Sequence, residues 1–269
     1  MRAVFDAEQH TIETLRIECN NKNVHMEHDF QCDWLISYLC PWILPKEILD
    51  QARHNCNFHP APPEYPGTGC YNFALYDGAK EYGVTCHRME PMVDSGEIYK
   101  VRRFPVFSHD SVDTLQDRTD DIMFELYQQI LGQLAGGEES EVLKTCGEHW
   151  APGKTPTSSR DLDRLRVVPF DASAGELARR ARAMAHRRYH SGGACIELHG
   201  SRFYIPFEEA MRLEPPRPDH RTARPLPAFL GRSFLGHSLS GHSFRDGIAA
   251  LVCIFTTTIL VAFAIAITD

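Results

Sequence analysis

Asn57-Phe58-His59-Pro60-Ala61-Pro62-Pro63-Glu64-Tyr65-Pro66-Gly67-Thr68-Gly69 reads as the end of a strand running into a stiff loop. Residues two apart in extended backbone face the same side, so Asn57 and His59 project together. An amide donor then stands beside a base that titrates near neutral pH. The prolines fix φ in the loop, and Gly67 and Gly69 allow positive φ or close approach of a ligand. Beyond the loop, Cys70 to Leu75 reads as a short helix and Gly83 to Met89 alternates like a strand. Val93-Asp94-Ser95-Gly96-Glu97-Ile98 is a turn opening the next strand, and it offers a carboxylate 35 residues after His59. A proton shuttle, an oxyanion donor and an electrostatic anchor are the equipment of acyl transfer. The same residues also fit turn chemistry, with Asn57 capping a turn, His59 a loop histidine and Asp94 making an Asx-turn.

Four patterns in one order carry more than the tripeptide does. Asn-x-His-Pro, the Pro/Gly loop, Gly-Val-Thr-x-His-x-Met (Gly83 to Met89) and Val-Asp-x-Gly-x-Ile (Val93 to Ile98) together resemble the 10-formyltetrahydrofolate-dependent formyltransferases. These are the methionyl-tRNA and sugar N-formyltransferases. The resemblance is closest over residues 33 to 105, looser over 106 to 134, and returns near 160 to 205 as a tail like that of the sugar-acting members. It implies an α/β, Rossmann-like domain in which Asn57, His59 and Asp94 form the catalytic triad. It also implies 10-formyltetrahydrofolate as cofactor and a primary amine as acceptor.

The residue types suit that reaction. Asn57 would donate a hydrogen bond to the developing oxyanion, a contact worth about 3 kcal/mol where such donors have been removed. His59 would take the amine proton and return one to the departing nitrogen. Asp94 would orient the imidazole and raise its pKa, because a nearby anion favours the charged form. Asp33 to Pro45 reads as a buried strand ending in a Pro-bounded loop. The resemblance implies that this loop holds the folate ring through Trp42, Ile43 and Leu44, aided by Glu90, Pro91, Met92, Val93 and Asp94. Ordinary core packing is the competing reading of Trp42 to Leu44. Family members often carry a basic residue after the Pro/Gly loop; here Gly69-Cys70 stands there.

The start of the chain is short for this fold. Thr11 to Cys19 reads as helical and Asn23 to Met26 as a short strand, with no Gly-rich first turn. The expected sheet is therefore truncated at its N-terminus, either incomplete or filled by something else. The catalytic domain is assigned to residues 1–135, closed by an amphipathic helix from Asp120 to Leu134. Residues 136–159 form a linker, and 160–214 a small α+β subdomain made of a helical pair and a hairpin around Gly200-Ser201. A Pro/Arg/Ser/Gly-rich linker covers 215–246.

Residues 247–268 carry no charge, and as a helix they would span roughly 33 Å, enough to cross a membrane. The expectation is a single-pass C-terminal transmembrane helix. Arg232 and Arg245 precede it and no basic residue follows, which sets the catalytic domain on the cytoplasmic side. Nine scattered cysteines show no metal-binding spacing, so no metal site is expected.

Residues 1–150 hold 12 Lys/Arg against 25 Asp/Glu, whereas 151–246 hold 16 against 10. The basic run Arg179, Arg180, Arg182, Arg187 and Arg188 could attract phosphates or anionic lipid, or be a solvated helix face. The short tail favours a sugar-nucleotide amine as acceptor. The alternatives are initiator tRNA and a catalytically weak, membrane-tethered folate-binding relative.

Overall fold

A computed structural model describes residues 11–16, 32–40, 43–187, 192–213 and 263–268. The main sheet contains β1 (Thr11–Arg16), β2 (Cys32–Tyr38), β3 (Ala52–His59), β4 (Glu81–His87), β5 (Ile98–Pro105) and β8 (Phe263–Thr268). Their order across the sheet is β1-β8-β2-β3-β4-β5. β2 and β3 are parallel, joined through the single-turn helix α1 (Lys46–Leu49); the other pairings are antiparallel. This is a mixed α/β sheet.

Two expectations are corrected at its left side. Thr11 to Arg16, expected as helix, is a strand paired with β8. Thr11, Ile12 and Thr14 are β-branched and favour that choice once a partner strand is present. Phe263 to Thr268, expected as the end of a membrane-spanning helix, is the strand between β1 and β2. An uncharged apolar run serves a strand with neighbours on both edges as well as it serves a membrane helix. No helix among the described residues is long and apolar enough to cross a membrane. Residues 247–262, Asn23 to Met26 and the linker 215–246 lie outside the described residues. The sheet position left open by the short start is thus filled from the other end of the chain.

Alternation on the central strands separates core from site. Cys56 and Phe58 of β3, with Val84 and Cys86 of β4, pack against Met123, Leu126 and Ile130 of α3 (Val112–Ala135). Asn57 and His59, with Thr85 and His87, then face the opposite side. α3 starts well before Asp120 because Ser111 caps it: its hydroxyl accepts from the Thr114 amide, and Thr114 Oγ1 accepts from the Ser111 amide.

The segments read as linker and subdomain pack on this same body. α2 (Cys70–Asp77) touches α5 (Ser159–Arg166) and α6 (Ala174–Ala183) through a core containing Ala74, Leu75, Leu165, Ala183 and Met184. β6 (Cys195–Leu198) and β7 (Ser201–Tyr204) form the expected hairpin, turned by His199 and Gly200, both at positive φ. α4 (Glu139–Leu143) and α7 (Phe207–Arg212) complete the set.

The basic run on α6 is not a free patch. Arg179 and Arg180 bind Glu176, and Arg180 also donates to the carbonyls of Arg164, Leu165 and Val167. Arg182 donates to the carbonyls of Asp110 and Phe107, and Arg187 covers the Phe207 ring.

Candidate active site

The pairing of β3 with β4 sets Asn57 opposite His87 and His59 opposite Thr85. β3 breaks at Pro60, and the 60–69 loop carries its carbonyls and amides over the strand ends. Gly67 has φ +89, and a Cβ there would lie 2.3 Å from the Thr157 carbonyl oxygen, so only glycine fits. Its amide donates to Asp94 Oδ2 at 2.7 Å. Asp94 itself sits at φ 48, a conformation that aspartate tolerates better than most residues and that here aims its carboxylate inward.

The structure brings the three expected catalytic residues together. His59 Nδ1 lies 3.4 Å from Asp94 Oδ2, with both side chains buried. Asn57 stands one position before His59 on the alternation, its Oδ1 accepting from the buried Ser37 hydroxyl at 2.8 Å. With Oδ1 accepting from Ser37 on β2, the donating Nδ2 points away from it toward His87.

A fourth side chain belongs with these three. His87 Nε2 lies 3.4 Å from Asp94 Oδ1, so the carboxylate bridges two imidazoles, one on each oxygen. His87 lies inside the Gly83 to Met89 pattern, and strand alternation alone predicts its side of the sheet, but nothing local marks it as polar machinery.

The partners of the rings fix where protons reside. His87 Nδ1 is 2.7 Å from the Arg88 carbonyl oxygen, which can only accept, so Nδ1 carries a proton. Nε2 is therefore bare in the neutral ring, accepting from Asn57 Nδ2 at 3.3 Å, or protonated in the cation, donating to Asp94. It cannot do both at once. His59 Nε2 is held likewise by the Tyr65 carbonyl at 3.0 Å, leaving Nδ1 as the titrating atom toward Asp94.

Burial lowers the pKa of His59 below its ordinary 6.5 and outweighs the upward pull of Asp94 and the Tyr65 carbonyl; His87 adds to the lowering. The expectation that Asp94 raises this imidazole is correct in direction for that pair but loses to desolvation. Burial on its own would raise Asp94, yet the hydrogen bond from His87, the charge of His59 and the Gly67 amide hold its carboxyl below 3.8. The site therefore keeps a carboxylate beside an imidazole that stays neutral at pH 7.

These groups open on a cleft of about 650 Å³. Its apolar lining includes Leu39, Ile43, Leu44 and Leu49, and Glu90, Val93 and Thr157 to Ser159 line it as well. Of the residues expected to bind the cofactor, Ile43, Leu44, Glu90, Val93 and Asp94 line this cleft. Pro91 and Met92 are exposed and do not line it, because the turn bends outward before Val93 returns. Trp42 lies outside the described residues. Apolar side chains such as Leu39, Ile43, Leu44 and Leu49 beside a few polar groups suit a fused heteroaromatic ring, so the cleft fits the group that the motifs imply. Among the described residues, no Lys or Arg lines it.

Residues 2–131 match the formyl transferase family. A methionyl-tRNA formyltransferase from Methylobacillus flagellatus is 28% identical over 179 residues, covering 64% of this chain and 54% of the relative. Another, from Citrifermentans bemidjiense, is 34% identical over 98 residues, covering 36% of this chain and 31% of the relative. The chain thus spans between a third and about half of the length of these curated relatives. Among solved structures, a sugar N-formyltransferase from a Shewanella species superposes with a TM-score of 0.56 at 21% identity, covering 65% of this chain and 68% of that one. That likeness concerns the fold.

Proposed function

We propose that this chain, whose residues 2–131 match the formyl transferase family, moves a formyl group from 10-formyltetrahydrofolate to the primary amine of an amino-sugar nucleotide. The observation that carries the proposal is the convergence of Asn57, His59 and Asp94 on one cleft, with His59 and Asp94 3.4 Å apart.

The cofactor supplies the formyl carbon when bound. Leu44, Ile43 and Val93 would hold its ring against the apolar lining, with backbone from Glu90 to Asp94 along the edge. Asn57, its amide fixed by Ser37, presents Nδ2 to negative charge building on the carbonyl oxygen. His59 accepts the amine proton at Nδ1, its other nitrogen being held by the Tyr65 carbonyl, and would return that proton to the departing folate nitrogen as its bond to the formyl carbon breaks. Proton arrival at Nδ1 converts the contact with Asp94 into an ion pair between two buried side chains, which stabilises the cation as it forms. Asp94 stays an anion throughout, because His87 and the Gly67 amide hold it so.

The sugar acceptor is supported by the small cap formed by α5, α6 and the β6–β7 hairpin, which packs directly on α2. The arginines of α6 are engaged within the protein, which leaves them poorly placed to bind tRNA phosphates. Initiator tRNA is the second reading, favoured by the named activity of the curated relatives. Release of tetrahydrofolate, followed spectroscopically with a panel of amino-sugar nucleotides and with methionyl initiator tRNA, tests both. Amine-dependent release with a sugar nucleotide supports the proposal; release with tRNA alone moves the assignment to the second reading.

A further inference from the structure

Residues 144–159 connect α4 to α5, and a sequence so rich in Pro, Gly, Ser and Thr has no core of its own. The structure nevertheless stitches it to both loops that build the site. Toward the 60–69 loop, the Ala151 amide donates to the Pro63 carbonyl at 3.2 Å and Lys154 Nζ to the Glu64 carbonyl at 3.0 Å. Thr157 adds bonds to the Pro66 and Thr68 carbonyls. Arg103 on β5 clamps the same junction by holding Glu64 and Glu148 together.

Between these anchors, Trp150 reaches the other loop. Its Nε1–H donates to the Gly96 carbonyl at 2.7 Å, two residues beyond Asp94. The indole stands edge-on to His87, ring centres 4.9 Å apart, and to His59, at 6.0 Å. It does not line the cleft, so it covers the imidazole pair from outside the space a substrate would enter.

We propose that Trp150 is a positioning residue for the transfer reaction, one whose ring seals the two imidazoles from water and whose N–H fastens the turn that carries Asp94. The proposal rests on the catalytic reading of His59. An aromatic edge supplies no competing hydrogen-bond partner, so the ring nitrogens keep the carbonyl and carboxylate partners that fix their protons. The groups facing His59 are Asp94 from the 88–97 turn, His87 from β4, Asn57 from its own strand and the Tyr65 carbonyl from the 60–69 loop. Glu148, the nearest carboxylate in sequence to Trp150, is committed to Arg103.

The test is a pH titration of the imidazole nitrogens by long-range ¹H–¹⁵N correlation in the full chain, with His59→Gln to assign the signals. In the wild-type chain His59 titrates below 6.5. Trp150→Ala admits water and moves that midpoint upward toward 6.5, while kcat for formyl transfer falls about tenfold and KM changes little. Trp150→Phe keeps the ring and loses the bond to Gly96. It titrates at His59 like the wild type, yet loses about threefold or more in kcat, as expected for one lost tie on a positioned turn. An unchanged His59 midpoint in Trp150→Ala would overturn the sealing role, and full wild-type kcat in Trp150→Phe would overturn the fastening role. Should the alanine variant fail to fold, Trp150→Phe still decides the tie, and an upward shift at His59 in that variant would overturn the seal. The titration needs no turnover, so a chain that shifts as stated but transfers no formyl group would refute the proposed activity and not the placement of Trp150.

Discussion

Replacing Gly96 by alanine should cost this protein activity as well as stability. A Cβ built on Gly96 would lie 2.0 Å from the Arg88 carbonyl oxygen, a backbone atom that cannot swing aside as a flexible side chain would. An ordinary contact begins near 3.4 Å, so one side must retreat by about 1.4 Å. The Arg88 side is pinned: its amide donates to the Glu97 carbonyl at 2.8 Å, and its own carbonyl accepts from His87 at 2.7 Å. The turn carrying Asp94 therefore moves, or the His87 ring loses the bond that fixes its tautomer. Displacement on the order of 1 Å at a catalytic contact costs about 10²-fold in rate, whereas overpacking one methyl costs about 1–3 kcal/mol of stability. The assay is steady-state formyl transfer beside denaturant unfolding, with Gly132→Ala as the control. Gly132 lies within α3 with nothing within 4 Å of its Cβ position, so its alanine variant should gain roughly 0.5–1 kcal/mol and keep full activity. A Gly96→Ala chain with wild-type kcat would refute the reasoning, because the carboxylate position would then not matter.

The remaining predictions concern the hydrogen-bonded chain and the sheet. Ser37→Ala frees the Asn57 amide to rotate, and kcat should drop about tenfold with the fold intact, read from kinetics and circular dichroism. His59 and Asp94 both have folded pKa values below their ordinary ones, so the folded state binds fewer protons than the unfolded state as pH falls. Stability is fully present above 6.5, declines as pH falls from 6.5 through the lowered value of His59, and declines again below 3.8. The same sign keeps the acid limb of kcat/KM below pH 6.5, and a limb above 6.5 would contradict the burial of His59. Ala266→Pro removes a backbone N–H from the strand that pairs with Glu13 on one side and Leu35 on the other, and should destabilise the domain by about 3 kcal/mol. A silent Ala266→Pro would detach the C-terminal strand from the sheet.

What could be read from the residues alone divides along the range of the interactions. The strand carrying Asn57 and His59, the turn carrying Asp94, the helix at Cys70 and the hairpin near Gly200 are set by local alternation and turn chemistry, and they stand where those signals put them. Thr11 to Cys19 was open to a helical reading because of Leu15 and Ile17; the partner of Thr11–Arg16, β8, lies about 250 residues away in the chain. The same distance hid the meaning of the apolar run at Phe263 to Thr268, whose hydrophobicity is equally suited to lipid and to the middle of a sheet. Within the site, His87 was visible as a strand residue but not as Asp94's second partner, since the contact depends on the β3–β4 register and on a turn at positive φ. Trp150 was hidden for a different reason. A Pro/Ser/Thr-rich segment looks like a linker whether or not its backbone is tied down, and here the ties run to residues 54 to 91 positions away.

The central claim is that His59 moves the amine proton while Asp94, held as an anion, stabilises the resulting cation. Single-turnover formyl transfer from 10-formyltetrahydrofolate to an amino-sugar nucleotide, comparing wild type with Asp94→Asn, tests it most directly. The asparagine preserves shape and the Gly67 contact but removes the charge shared by both imidazoles, and the chemical step should slow by about 10³-fold or more with substrate binding nearly unchanged. A single-turnover rate in Asp94→Asn within a few-fold of wild type would contradict the account.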